Sequence, residues 1–189
     1  LVLSFVLYLA GFRDSTNPIL LLDVQAKKTR FDKFNLSGKI DDSSPKAIIV
    51  KRKNQRKRYK VDSSGAFRIP QRLNEGRNKF SLIAIDESGH TSAIKELVIH
   101  RDTTPPKLKF TNFTKKTYLE TLILEGKLSE APCTMIVDKT TYRVSGREFK
   151  IPLKLKFGKN IFQLSIKDSI GNSTNESFSI QRSPFVVVG

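Results

Sequence analysis

Two stretches of this chain carry the same pattern of residues, and this repeat constrains the fold more than any other feature. The pattern Leu73-x-x-Gly76-x-Asn78-x-Phe80-x-Leu82 returns as Leu155-x-x-Gly158-x-Asn160-x-Phe162-x-Leu164. Asp86-x-x-Gly89 returns as Asp168-x-x-Gly171 at the same spacing of 82 residues. Self-similarity at a fixed spacing indicates a duplicated structural unit. The chain is therefore predicted to contain two copies of one domain.

The periodicity inside each unit is that of β-strands. Residues 80–85 and 161–166 alternate as half-buried strands do. Residues 48–50 and 59–61 flank Asn54-Gln55 and predict a hairpin. Six glycines mark positions where a turn is predicted to need positive φ or a close backbone approach: Gly65, Gly76, Gly89, Gly146, Gly158 and Gly171. About seven short strands per unit predict an all-β fold of two tandem Ig-like β-sandwiches.

Composition along the chain predicts the domain boundaries. A hydrophobic segment covers residues 1–13, the two sandwiches cover residues 14–103 and 104–184, and an apolar tail covers residues 185–189. Pro105-Pro106 predicts a short, stiff connector, because proline fixes φ and cannot donate a hydrogen bond. We therefore expect an elongated arrangement of the two domains.

The first twelve residues carry no charge, and three interpretations of them stay open. They fit the apolar region of a secretory signal, an uncleaved membrane anchor, or a buried strand. A helix of this length reaches only about 18 Å, against about 30 Å for a hydrocarbon core. Phe12 stands where a lipoprotein signal needs cysteine, which argues against lipidation. The first two interpretations predict an exported protein, periplasmic or at the cell surface.

These motifs resemble those of bacterial Ig-like domains, which occur in tandem on secreted and surface proteins, in particular the glucodextranase domain B type. The residues that carry the resemblance are Gly38, Phe67, Leu73, Gly76, Asn78, Asp86 and Gly89 in unit one and Gly126, Phe149, Leu155, Gly158, Asn160, Asp168, Gly171 and Asn172 in unit two. His90 departs from the asparagine of the pattern. The resemblance implies a stalk, spacer or adhesive module rather than a catalyst, although a fold does not settle function.

The residue types offer little for catalysis. One cysteine and two histidines are too few for an internal disulfide or a Cys/His metal site. Cys133 is predicted to be a buried small side chain. His90 and His100 are predicted to be polar turn and strand-end residues, because Asn172 and Gln181 replace them in unit two. No nucleophile elbow, phosphate-binding glycine loop or zinc spacing is present in the sequence, so we expect no enzyme activity, cofactor or metal.

Two aspartates stand beside the turn glycines. Asp86 and Asp168 precede Gly89 and Gly171, and their carboxylates are predicted to accept backbone hydrogen bonds in these turns. A Ca²⁺ site is not predicted, because a hard cation needs several oxygen ligands and few other acids lie nearby in sequence. Asp102 in the connector has the same interpretation.

Positive charge is the most informative surface property. Lys and Arg number 34 against 18 acids, a net charge of +16. One stretch holds seven cations and no acid: Lys51, Arg52, Lys53, Arg56, Lys57, Arg58 and Lys60. The matching stretch 138–143 is nearly neutral, so the fold does not demand this charge. It is either a finger for an anionic partner or a charged edge that discourages strand pairing.

The sequence is compatible with three functions. The first is a non-catalytic, exported structural or interaction protein: a tandem Ig-like stalk or scaffold near the bacterial envelope that contacts other envelope or surface proteins. The alternative is a module that binds an anionic polymer (lipopolysaccharide, teichoic acid or glycosaminoglycan) or a membrane surface through residues 51–60. An accessory domain of an enzyme is a third, more distant option. Sequence-specific nucleic-acid binding is not predicted, because no recognition helix or aromatic platform is visible. The sequence leaves the oligomeric state open.

Overall fold

A computed structural model of the chain describes residues 15–23 and 27–185. These residues form sixteen β-strands and contain no helix, and hence none long and apolar enough to cross a membrane. The chain divides into two compact units between Arg101 and Asp102, two residues before the predicted boundary. Each unit has one three-stranded and one five-stranded sheet, which confirms the prediction of an all-β fold with two sandwiches. The hydrophobic segment 1–13 and residues 186–189 of the tail lie outside the described residues.

Unit 1 is built from eight strands. They are β1 (Ile19–Leu22), β2 (Lys28–Thr29), β3 (Lys33–Asp41), β4 (Pro45–Arg52), β5 (Gln55–Lys60), β6 (Ala66–Arg72), β7 (Gly76–Asp86) and β8 (Lys95–Arg101). One sheet has the order β1-β3-β6 and the other the order β2-β8-β7-β4-β5. Neighbouring strands are antiparallel, except that the short β2 runs parallel to β8. Strand β5 is therefore an edge strand, paired with β4.

Unit 2 repeats this order. Its strands are β9 (Leu108–Phe110), β10 (Lys116–Thr117), β11 (Thr121–Leu128), β12 (Cys133–Val137), β13 (Thr140–Val144), β14 (Glu148–Lys154), β15 (Gly158–Asp168) and β16 (Ser173–Arg182). The sheets have the orders β14-β11-β9 and β10-β16-β15-β12-β13. Strand β13 occupies the edge position that β5 has in unit 1.

Each unit buries its own apolar core, to which both of its sheets contribute. The alternation predicted from the sequence sets the inward side of each strand: Phe80, Leu82 and Ala84 of β7 are buried, while the residues between them are partly exposed. Other fully buried side chains are Leu36, Ile40, Ile48 and Ile99 in unit 1 and Leu124, Met135, Ile151, Leu164 and Ile166 in unit 2. Complete burial of one such side chain contributes about 1.5–3 kcal/mol, so each unit has a substantial core of its own.

An aromatic ring covers one glycine in the three-stranded sheet of each unit. A Cβ atom at Gly38 would lie 2.1 Å from the Leu21 carbonyl oxygen and 2.9 Å from Cζ of Phe67. At Gly126 it would lie 2.5 Å from Cζ of Phe149. No side chain fits at these distances, because the backbone and the ring already occupy the space. This contact explains why glycine and phenylalanine recur together in both units.

Five of the six predicted turn glycines have a positive φ, and Gly146 is the exception. Gly65 has φ +81°, and a Cβ there would lie 2.3 Å from the Ile40 carbonyl oxygen. Gly146 has neither a positive φ nor a neighbour within 4 Å of a Cβ, so the prediction for it is wrong. Arg147 takes the place of Gly65, because its carbonyl accepts the Leu128 N–H as the Gly65 carbonyl accepts the Ile40 N–H. The other four have positive φ as predicted: Gly76, Gly89, Gly158 and Gly171.

The predicted connector is held to unit 2 by hydrogen bonds. The Thr174 hydroxyl donates to the Pro106 carbonyl at 2.5 Å, and the Asn172 amide donates to the Asp102 carbonyl at 3.0 Å. Pro106 is buried. The segment that begins at Asp102 is therefore an ordered part of unit 2.

Candidate anion-binding surface

The basic stretch 51–60 lies in a β-hairpin, as the sequence predicts. Strands β4 and β5 pair antiparallel from Ala47–Lys60 to Arg52–Gln55. Lys53 and Asn54 form the turn, in which Lys53 has φ 51°. Because β5 is an edge strand, its residues are exposed apart from the half-buried Tyr59. Strand β5 therefore presents its cations to solvent.

The two faces of the hairpin differ. Ile48 and Val50 belong to the core and pair with Tyr59 and Lys57. Successive side chains of a strand point to opposite faces, so Tyr59 and Lys57 lie on the core side of the sheet. The cations on the outer side are Lys51, Arg56, Arg58 and Lys60. The seven cations of the basic stretch therefore do not act on a single surface.

Arg52 is held within the domain. Its guanidinium donates to the Arg72 carbonyl and, at 2.6 Å, to Oδ1 of Asn78. It also lies 5.3 Å from the centre of the Phe80 ring. These contacts tie the end of β4 to β6 and β7, so Arg52 has a structural role in addition to its charge.

Strand β7 adds two cations to the outer face that the sequence analysis missed. Lys51 pairs with Ser81 of β7, and Lys79 and Arg77 lie two and four residues before Ser81 on the same face. Both side chains are exposed, and Lys79 Nζ lies 2.7 Å from Oε1 of Glu96. The cations on the outer face are therefore Lys51, Arg56, Arg58, Lys60, Arg77 and Lys79.

A groove lies where the hairpin meets β7. Its volume is about 650 Å³, and the cations along it are Lys51, Arg52, Lys53, Arg77 and Lys79. Two acids, Glu75 and Glu96, also line it. Glu96 is paired with Lys79, and Glu75 lies 3.9 Å from Arg101. The five cations along the groove outnumber its two acids, so the groove has an excess of positive charge.

The corresponding face of unit 2 carries fewer cations. In its β12–β13 hairpin Tyr142 pairs with the core residue Met135, as Tyr59 pairs with Ile48 in unit 1. The cations on the outer side of β12, β13 and β15 are Arg143, Lys159 and Lys167. The dense cationic face is therefore a property of unit 1.

The turn after β7 is fixed by a buried carboxylate. Oδ1 of Asp86 accepts the His90 backbone N–H at 2.8 Å, and Oδ2 lies 2.9 Å from His90 Nδ1. Asp168 accepts the Asn172 backbone N–H and the Asn172 side-chain amide, both at 2.9 Å. Burial raises the pKa of Asp86, but the hydrogen bonds from the His90 side chain and from backbone N–H groups outweigh it and hold this pKa below its usual value. Both carboxylates fix their turns through hydrogen bonds within the unit.

Three carboxylates of unit 2 lie close together. Ligand oxygens of Asp102, Glu130 and Asp168 are within 4.8 Å of one another, and carboxylate oxygens are the donors that hard cations prefer. Glu130 is not apparent as a neighbour from the sequence, because it lies far along the chain from the other two. Asp168 already accepts hydrogen bonds from the backbone N–H groups of Ile170 and Asn172 and from the Asn172 amide. These hydrogen bonds account for its buried position.

Cysteine and histidine occupy the positions that the sequence predicts. Cys133 is 4% exposed and belongs to the core of unit 2. His100 is exposed near the end of β8 and pairs with Arg77, as Gln181 of β16 pairs with Lys159. The prediction of a buried cysteine and of a polar strand-end histidine is confirmed.

Comparison with known proteins identifies the fold. No family model matches this sequence, and no curated protein matches it. Among solved structures, the chain is similar to the fibronectin(III)-like modules of CbhA from Clostridium thermocellum. The two share 14% identity and a TM-score of 0.50, over 88% of this chain and 95% of that one.

Two other solved structures are similar at lower TM-scores. One is part of a 1.5-MDa bacterial ice-binding adhesin, with 13% identity over 88% of this chain and 64% of that one, at a TM-score of 0.47. The other is the D00-D0 domain of intimin, with 10% identity over 86% and 99%, at 0.41. At 14% identity the likeness to the CbhA modules shows the fold alone. The chain therefore has the fold of tandem fibronectin III-like β-sandwich domains.

Proposed function

We propose that this chain is a non-catalytic interaction module in which two Ig-like sandwiches act as a scaffold. The proposal is supported by the observation that the side chains of Asn78 and Asn160 hydrogen-bond to the backbone of their own turns. Oδ1 of Asn78 accepts the Asn74 N–H, and its amide donates to the carbonyls of Asn74 and Gly76. Asn160 makes the matching set of bonds in unit 2. These groups hold corners of the fold, and the surface is left to carry specificity.

We also propose that the module is exported and works near a bacterial envelope, where it contacts other envelope or surface proteins. The apolar residues 1–12 support export as a signal or an anchor. The resemblance of both units to bacterial Ig-like domains of the glucodextranase domain B type supports the same location. Such domains form stalks or spacers, and two closed sandwiches suit that task because each has its own core.

The test of this proposal follows the full chain in a bacterial host. The chain with an epitope tag is expressed, cells are fractionated, and intact cells are treated with protease and with a chemical crosslinker. We expect recovery in an envelope fraction and crosslinks to envelope proteins. The matched control begins at residue 14 and should stay in the cytosol. Equal cytosolic recovery of both chains would overturn the proposed export, and an envelope-located chain without crosslinks would overturn the scaffold.

A second candidate function is binding of an anionic polymer through the hairpin. The contrast between the two units favours it, because unit 2 builds the same hairpin with few cations. A full chain in which Arg56, Lys57 and Arg58 are replaced by Ser should elute from heparin at lower salt than the unchanged chain. Unchanged retention would remove this candidate and would leave the charged edge as a means of discouraging strand pairing.

A further inference from the structure

We propose that the anionic partner is a linear acidic polysaccharide, bound as one extended chain in the groove between the hairpin and β7. Arg77 and Lys79 of β7 are then binding residues together with Lys51 and Lys53. This inference rests on the second candidate function, because it assumes that an anionic polymer binds to unit 1. It adds the place where the polymer binds, and it adds Arg77 and Lys79, which lie outside the hairpin, as binding residues. It also names one class of polymer.

The arrangement of the cations suits a ligand with repeated charges. Alternate residues of a strand lie about 6.8 Å apart on one face, and neighbouring strands lie about 4.8 Å apart. Arg56 and Arg58 of β5, Lys51 of β4 and Lys79 of β7 therefore spread over three adjacent strands, and of these four Lys51 and Lys79 line the groove. A single small anion contacts only one or two of them. A chain with a charge on successive sugars contacts several at once and releases several counterions.

The groove fits a single sugar chain. A volume of about 650 Å³ lies within the range of sites for ligands of a few rings. Asn74 and Ser81 also line the groove and offer an amide and a hydroxyl for sugar hydroxyl groups. Cations for the acidic groups and neutral polar groups for the hydroxyls together match the chemistry of an acidic polysaccharide.

The same face is poorly suited to single-stranded nucleic acid or to a membrane. Stacking of bases needs exposed aromatic rings, and among the described strands β4, β5 and β7 the outer face has none, since Tyr59 lies on the core side. Membrane insertion needs exposed apolar side chains. On the outer face of β4, Ala47 and Ile49 are only 1% and 6% exposed.

The two acids that line the groove do not block binding, because each has a cationic partner: Glu75 lies 3.9 Å from Arg101, and Glu96 is paired with Lys79. Lys79 and Glu96 form an ion pair whose side chains are 51% and 56% exposed. Exposed pairs of this kind are weak, at about 0–1 kcal/mol. A multivalent chain can therefore take over Lys79, while Glu96 turns to solvent.

The experiment measures binding of the full chain to a size-fractionated heparin oligosaccharide by titration calorimetry at two salt concentrations. The groove variant carries Arg77→Gln and Lys79→Gln. The control variant carries Lys159→Gln and Lys167→Gln, which removes the same charge from unit 2. Lys159 is the unit 2 counterpart of Arg77, and Lys167 lies on the same outer face of β15. Thermal unfolding verifies that both variants fold.

We expect the groove variant to bind about tenfold more weakly, with a slope of log K against log salt smaller by about 2. The control variant should stay within about twofold of the unchanged chain. Arg77→Gln alone keeps the Lys79–Glu96 pair and should weaken binding about threefold. Equal losses in the groove and control variants would indicate diffuse attraction and overturn the groove.

Other outcomes separate this inference from the function it rests on. If the Arg56, Lys57 and Arg58 variant loses affinity while the groove variant does not, hairpin binding stands and the groove is overturned. If the unchanged chain does not bind heparin, both are overturned. An oligothymidylate or a phosphatidylglycerol vesicle serves as a competitor. Tighter binding of either would overturn the polysaccharide as the ligand class.

Discussion

The hairpin β4–β5 of unit 1 and the hairpin β12–β13 of unit 2 have the same place in the same fold, yet they carry different surfaces. Tyr59 and Tyr142 both face a core residue, Ile48 in one unit and Met135 in the other. The inner side of the edge strand is thus held by packing in both units. On the outer side unit 1 has a row of cations, so the fold permits this charge without requiring it.

A second comparison concerns the corners of the two sandwiches. Both units use a buried or half-buried asparagine and an aspartate to bind backbone groups at equivalent turns. Unit 1 adds a bond from Arg52 to Asn78, and it uses Gly65 where unit 2 has Arg147. Differences at the corners should therefore appear as differences in stability, while differences in the hairpins should appear as differences in binding.

The largest effect is expected at Gly65. Gly65→Ala should destabilise unit 1 by about 3 kcal/mol, because alanine is strained at positive φ and its Cβ would overlap the Ile40 carbonyl. Gly146→Ala should change unit 2 by less than about 0.5 kcal/mol, because the space around it is open. Hydrogen exchange of the full chain, resolved by peptide, reports each unit separately. Similar losses of stability for both substitutions would contradict the conclusion that the turns at Gly65 and Gly146 differ.

The next effect is expected at the asparagines. Asn78→Ala should cost unit 1 about 2–3 kcal/mol, because it leaves backbone groups and Arg52 without their partner. Asn160→Ala should cost unit 2 about 1–2 kcal/mol, since Asn160 is less buried and no arginine donates to it in the described hydrogen bonds. Asn74→Ala is the control, because only its backbone takes part in these bonds. Chemical denaturation and hydrogen exchange of the full chain measure these costs. A larger loss at Asn160 would reverse the comparison.

Much of the fold could be predicted from the sequence because its signals are local. Alternation within 80–85 defines a strand, and the flanks of Asn54-Gln55 define a hairpin. The prediction for Gly146 failed because the segment before β14 differs from that before β6 by the position of one residue. Local patterns cannot show whether a glycine or an arginine occupies the turn position whose carbonyl accepts a hydrogen bond from the neighbouring strand.

The candidate site could be predicted only in part, for a physical reason. A run of cations shows a basic hairpin, but the face of each side chain depends on the register with a core strand. Arg77 joins Lys51 only because β4 pairs with β7, and Glu130 approaches Asp168 only through tertiary structure. Such pairings join residues that are far apart in sequence, so composition and spacing do not show them.

A smaller effect is expected when the outer face of the unit 1 edge strand is given the residue type found in unit 2. Arg58→Thr introduces the residue that unit 2 has at Thr141, and it should weaken heparin binding about threefold, since one of several exposed charges is lost. The reciprocal Thr141→Arg should raise affinity by less than about twofold, because unit 2 lacks the neighbouring cations. Retention on heparin at fixed pH measures both. A gain at Thr141 as large as the loss at Arg58 would show that net charge alone determines binding.

The smallest effect is expected at His90, where the two units differ in residue type but share the bond to a buried carboxylate. His90→Asn reproduces the Asn172 arrangement of unit 2, in which the side-chain amide and the backbone N–H both donate to the aspartate. Thermal unfolding of the full chain at neutral pH should therefore change no more than for an ordinary surface substitution. A marked loss would give the histidine a role that asparagine does not fill.

The change of stability with pH tests the same turn, because it depends on the carboxylate of Asp86. The pKa of Asp86 is lower in the folded chain than its ordinary value of 3.8. Its stabilisation is therefore present above that value and is lost as the pH falls through the lower, folded pKa. His90→Asn should keep this loss when unfolding is followed from about pH 5 to about pH 2, while Asp86→Asn should reduce it. If His90→Asn abolishes the acid dependence instead, the His90 side chain makes a contribution that asparagine does not replace, and the turns of the two units are not equivalent.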